Sequence, residues 1–136
     1  MTYTEVPDQL MSALQGVIPA VIASTSGNSI PNVTYISQVF YVDKKHVALS
    51  QQFFNKTIRN VFENPIVRVV LTDPVRFEMY KLLLKFKESQ TSGEVFDSMY
   101  LQLEAIASVQ GKEGVFHLRA ADIYEVLSIE TLHSYI

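Results

Sequence analysis

The chain has 136 residues, 48% of them hydrophobic, which is enough for the core of one domain and too little length for a second. A net charge of −3 and a pI near 5.5 exclude the broad basic field that a nucleic-acid duplex needs, although a small anion requires only a local positive site. With no cysteine there are no disulfides, thiolate metal ligands or cysteine nucleophiles, a composition that suits a reducing cytoplasm.

The opening stretch to Gly16 is too polar for a signal peptide, and no apolar run approaches the ~18 residues of a membrane span. A soluble, cytoplasmic protein without a membrane partner is therefore expected. Thr4 to Gln15 reads as a helix, with Pro7 in its opening turn, Val6, Leu10, Met11 and Leu14 on one face and Gly16 as a stop. Pro19 to Thr25 and Ile30 to Ser37 form a hairpin around the turn Ser26-Gly27-Asn28-Ser29, and Gln38 to Val42 continues as an apolar strand. Asp43-Lys44-Lys45 turns the chain into a strand over His46 to Gln51.

A short helix follows, with Phe54, Ile58, Val61 and Phe62 on one face of a 3.6-residue period. Asn55 is its N-cap, and Asn64, preceding Pro65, ends it. Its first turn sets Lys56 and Thr57 beside backbone N–H groups that have no partner inside the helix, which is what a phosphate requires. On the residues alone, Lys56, Thr57 and Arg59 are either such a site or a solvated helix start.

Ile66 to Thr72 is an apolar strand closed by Asp73-Pro74, and Phe77 to Glu88 alternates, with Tyr80, Leu82, Leu84 and Phe86 facing the core and Lys81, Lys85 and Lys87 facing water. Thr91-Ser92-Gly93-Glu94 has the form of a capping box for the longest helix, which runs to Gly111. Val115 to Arg119 and Ile123 to Leu127 are strands separated by an interruption at Ala120-Ala121-Asp122. The sum is one domain over residues 1–136: a mainly antiparallel α+β chain of six or seven strands, curled into a barrel, with about three flanking helices.

This element order, together with Ser50-Gln51-Gln52 through Asp73-Pro74 and the strand Gly114-Val115-Phe116-His117-Leu118-Arg119, resembles the FMN-binding split-barrel family typified by pyridoxamine 5'-phosphate oxidase, in particular its small bacterial members. The resemblance covers nearly the whole chain. It implies a split β-barrel that forms a homodimer and binds FMN in a groove at the two-fold interface. Lys56 and Thr57 would lie at the phosphate with Asn55 and Arg59 nearby, and Thr34, Tyr35, Ile36, Ser50, Gln51 and Gln52 would line the ring or ribityl chain. It also implies an FMN-dependent oxidoreductase acting on a small substrate, or else a non-catalytic ligand-binding, flavin-carrier or sensor module on the same dimeric scaffold.

The chain departs from the oxidases of that family in carrying Asn55-Lys56-Thr57 where they have a Ser-Arg-Lys run, and Thr34 and Ser37 where they have an arginine and a lysine. Nor does it carry their arginine-rich C-terminal substrate segment. Arg68, set in an apolar strand, reads as the partner of an acid across the sheet, with a ligand phosphate as the alternative. The aromatic residues Tyr35, Phe40, Tyr41, Phe53 and Phe54 read as core or subunit interface, with stacking of one of them on a flavin as the alternative. His46, His117 and His133 are too dispersed for a metal site, and no spacing marks a nucleophile with its base.

Overall fold

This computed structural model describes residues 2–15, 18–52, 56–109, 111 and 117–134. Alternation builds its sheet. In β2 (Ala20–Thr25), β6 (Ile66–Thr72) and the first half of β7 (Glu78–Gln90) every second residue is buried: Ala20, Ile22 and Ser24, then Val67, Val69 and Leu71, then Glu78, Tyr80, Leu82 and Leu84. The other strands are β1 (Thr2–Tyr3), β3 (Pro31–Ile36), β4 (Val39–Asp43), β5 (His46–Gln51) and β8 (Ala120–Ser134).

All pairings are antiparallel, in the order β3-β2-β6-β7-β8-β5-β4, with β1 added beside β8. The eighth strand beyond the expected six or seven is the two-residue β1. β3 and β4 stand at opposite ends of this order, yet only Ser37 and Gln38 separate them in the chain. Three peptide steps reach at most about 11 Å, so the sheet must curl until its ends meet at that corner. The 13-residue β7 and 15-residue β8 accommodate the curl through register shifts near Met79, Leu83 and Phe86.

The barrel interior is one apolar cluster that includes Ile22, Leu49, Val69, Leu82, Tyr124 and Ile129. One end is plugged by a 3₁₀ helix over Asp8–Leu14, which buries Leu10, Ala13 and Leu14. The sequence led to an α-helix starting at Thr4; instead Thr2–Tyr3 is strand, and Pro7 stands extended at φ −79°, ψ 156°. Proline disfavours helix in the residue before it, and Val6 N–H is already donated to Lys44 C=O at 2.8 Å, so the turn can begin only after Pro7.

At the opposite end lies α1 (Lys56–Glu63). On the outer face, α2 (Glu94–Val109) lays Met99, Leu103 and Ala107 towards β5 and β8, where Ala48 and Ala121 leave room for the helix. This corrects the expected interruption at Ala120-Ala121-Asp122: the segment is strand, and β8 runs on past the expected end at Leu127 to Ser134. With core on one side and α2 on the other, Ala120 to Tyr124 are all buried, so no alternation marks them. Residues 117–119 are not strand, and the rest of the expected Val115 to Arg119 strand lies outside the described residues. No helix among the described residues is long and apolar enough to cross a membrane.

Candidate functional site

α1 is held over the mouth of the barrel by two amide-to-hydroxyl bonds. Asn60, buried on the inner face of the helix, donates Nδ2–H to Ser24 Oγ at 3.1 Å, and Asn32 of β3 donates Nδ2–H to Thr57 Oγ1 at 3.2 Å. These bonds set the first turn of α1 against the β2–β3 hairpin and leave a cleft of about 310 Å³ between them. Lys56 and Arg59 line it from the helix, Asn32 and Ile30 from the hairpin. Both cations are exposed, and neither has an ion-pair partner among the described residues. Glu63 also borders the cleft, but its Oε2 accepts the Gly27 N–H at 3.0 Å.

A second polar locus forms at the corner where the ends of the sheet meet. Gln52 donates Nε2–H to Ser37 Oγ and, at 3.4 Å, to Ser50 Oγ, while the backbone ties Ser50 N–H to Gln38 C=O at 3.3 Å. The Gln38 side chain, 1% exposed, spends its Nε2 on Met99 C=O (3.1 Å) and Gln102 Oε1 (2.5 Å). The amide oxygens of Gln38 and Gln52 are both buried without a partner among the described residues. Buried acceptors left this way cost stability unless water or a ligand supplies a donor.

Beside this corner, Gln51 donates Nε2–H to both carboxylate oxygens of Asp122, at 3.1 and 3.0 Å, and Ser89 donates its hydroxyl to Asp122 Oδ1 at 2.5 Å. Burial pushes the Asp122 carboxyl above the ordinary aspartate range, against the opposing pull of Ser89 and Gln51.

The expected site residues thus separate into two groups. Lys56 and Arg59 line the α1 cleft and Thr57 is bonded to Asn32 on its border, whereas Ser50, Gln51 and Gln52 sit at the end of β5. On β3, Thr34 and Ile36 lie opposite the buried Ile22 and Ala20 and share their face, while Tyr35 points outward, 77% exposed. Asn55 lies outside the described residues, as do Phe53 and Phe54. Arg68 does not pair with an acid: the residues opposite it are Ala23 and Leu83, and its side chain is exposed. No cluster among the described residues suits a metal ion. Asn60, Asn32 and Asp122 were missed. The sequence marks none of the three, since each is bonded to a side chain distant in the chain.

No protein-family model matches this chain, and neither does any curated protein. Solved structures do. An FMN-binding protein from Syntrophomonas wolfei subsp. wolfei aligns over 91% of this chain and 86% of its own, at 17% identity and a TM-score of 0.72. A pyridoxamine 5'-phosphate oxidase-like protein from Lactobacillus delbrueckii aligns over 95% and 93%, at 12% identity and a TM-score of 0.62. HutZ, the haem storage protein of Vibrio cholerae, aligns over 90% and 92%, at 12% identity and a TM-score of 0.56. Strand order, helix placement and near-complete coverage in both directions give this chain the split-barrel fold of the pyridoxamine 5'-phosphate oxidase-like proteins.

Proposed function

We propose that the chain is a cytoplasmic, homodimeric FMN-binding protein whose flavin phosphate is received at the opening of α1 and whose ring lies towards Ser50, Gln51 and Gln52. The observation that carries this reading is the pair of uncompensated cations, Lys56 and Arg59, in the first turn of a helix on a fold shared with an FMN-binding protein. The donor set fits a phosphomonoester: two cations, a hydroxyl, and helix N–H groups aimed the same way. The Gln52 amide, one end of which is buried without a partner among the described residues, fits a ligand that completes its hydrogen bonding. Bound flavin would supply the redox chemistry, and the protein would hold and orient it. The test is retention: the purified protein, or protein dialysed against FMN, shows flavin absorbance, whereas equilibrium dialysis without retention rejects the reading.

A second reading has its own support. The side chains gathered at the corner, Ser37, Ser50 and Gln52, are neutral groups that orient a ligand but do not exchange protons with it. One structural neighbour is described as a haem storage protein. A carrier or sensor would retain its ligand without turnover. Steady oxidation of reduced nicotinamide by the loaded protein, well above that by free FMN, selects the oxidoreductase.

A further inference from the structure

Asp122 is 4% exposed and lies at the barrel mouth, where its carboxylate meets two neutral side chains, one from each flanking strand: Gln51 of β5 and Ser89 of β7. An ionised carboxylate only accepts hydrogen bonds. It therefore decides which end of the Gln51 amide faces it. The nitrogen sits almost equidistant from Oδ1 and Oδ2, and the Gln51 oxygen is left turned away, with no hydrogen bond among the described residues. Gln52 differs: its partners are hydroxyls, which donate as well as accept, so nothing fixes its amide in one sense.

We propose that Asp122 is a positioning residue for the ligand groove, holding Gln51 with its amide oxygen outward when ionised and, on taking up one proton, drawing that oxygen inward so that an amide N–H faces out instead. The polarity that Gln51 presents is thereby set by the protonation of a residue that does not itself touch the ligand. The outward acceptor at neutral pH suits a ring edge bearing an N–H donor, such as the imide of a flavin; this part rests on the flavin reading above.

Burial assists the device by favouring the neutral carboxyl. The titratable groups around it are few. On β8, Tyr124 lies two residues further on; burial, together with the Asp122 charge, pushes its hydroxyl pKa up, so it stays neutral. On β7, Glu88 precedes Ser89 and is exposed; along the β5–β8 pair, His46 faces Glu125 at the far end of β5; and Arg119 precedes β8. On the other face of the sheet, α2 presents Met99 and Leu103.

The test is a pH titration of the full ligand-free chain, following the carboxyl signal of Asp122 and the side-chain amide signals of Gln51 by NMR. Both are expected to move with one midpoint, above that of an ordinary aspartate, and the Gln51 transition is expected to vanish in Asp122→Asn. A Gln51 amide that stays flat while Asp122 titrates, its proton shared with Ser89 alone, overturns the proposal, and the wild-type record decides this even if the variant does not fold. FMN dissociation constants form a separate arm. Affinity is expected to fall several-fold across the same midpoint in the wild type relative to Asp122→Asn, the titration of the FMN phosphate being common to both proteins. Absence of FMN binding at every pH rejects the flavin reading and leaves the coupled titration as the measure of the switch.

Discussion

The charges of α1 run against its own dipole. Its first turn carries Lys56 and no acid, and its last carries Glu63 and no base, where a helix built for stability would have the reverse. Lys56 is exposed and has no ion-pair partner among the described residues, so the fold gains nothing from the cation. A phosphate brought to that turn would reverse the balance. Lys56→Glu is accordingly expected to move two observables in opposite directions. It removes an unfavourable charge from the helix start, so the melting temperature should hold or rise slightly, by the equivalent of roughly 0.3–1 kcal/mol. It also sets like charge against the phosphate, so FMN affinity should fall, by about 1.5–3 kcal/mol if a charge-assisted bond is lost, or roughly ten- to a hundredfold. Calorimetry and a fluorescence binding titration on one preparation check both. An unchanged dissociation constant places the phosphate elsewhere.

What keeps that turn in position is a property of α1 as a unit. The helix has only eight residues, too few to persist alone in water, so its place depends on the side chains that cross to the sheet. Asn60 is the deepest polar one, and its partner Ser24 is 2% exposed. Asn60→Ala leaves that hydroxyl buried without its partner, a cost of about 1–3 kcal/mol that should lower the melting temperature by several degrees and weaken FMN binding with it. Ser24→Ala in the same background should restore part of both losses; full additivity of the two changes would show that the bond does not hold the helix. The sequence reveals α1 and its cations because its apolar residues repeat at 3.6, and β5 and β6 with their bounds because apolar runs end at turn residues. It does not reveal what fixes the helix, since Asn60–Ser24 and Asn32–Thr57 join residues 36 and 25 positions apart. Nor does it mark Asp122, because a strand covered on both faces loses the period that would single out one residue as inward-facing.

The curled sheet ends in a problem that a second copy would solve. β3 is an end strand with one edge unpaired, and its outward face carries Val33, 64% exposed, and Tyr35, 77% exposed, with Ile30 also exposed just before the strand. Across the pairing register, Tyr35 lies opposite Val21, which lies opposite Val70, so this apolar row continues over three strands, whereas the row of Val33 and Ala23 ends at the exposed Arg68. An apolar face beside an open edge invites association unless something covers it. Charge does guard the far side of the sheet, where Lys81 pairs with Glu130 and Lys87 with Glu125. The strip is therefore expected to meet its own counterpart across a two-fold axis, as the proposed flavin groove between two copies requires. Light scattering at micromolar concentration should give about 31 kDa, twice the 15.4 kDa of one chain. The double change Val33→Asp and Tyr35→Asp places four like charges in such an interface and should give a monomer. Both side chains already stand in solvent, so the barrel should keep its melting temperature apart from the stability that association contributes. The monomer should also lose FMN, although Lys56 and Arg59 remain in place, because one barrel would then offer only one wall of the groove. A wild-type chain that scatters as 15.4 kDa, or a monomeric variant that binds FMN undiminished, would show that a single barrel encloses the site by itself.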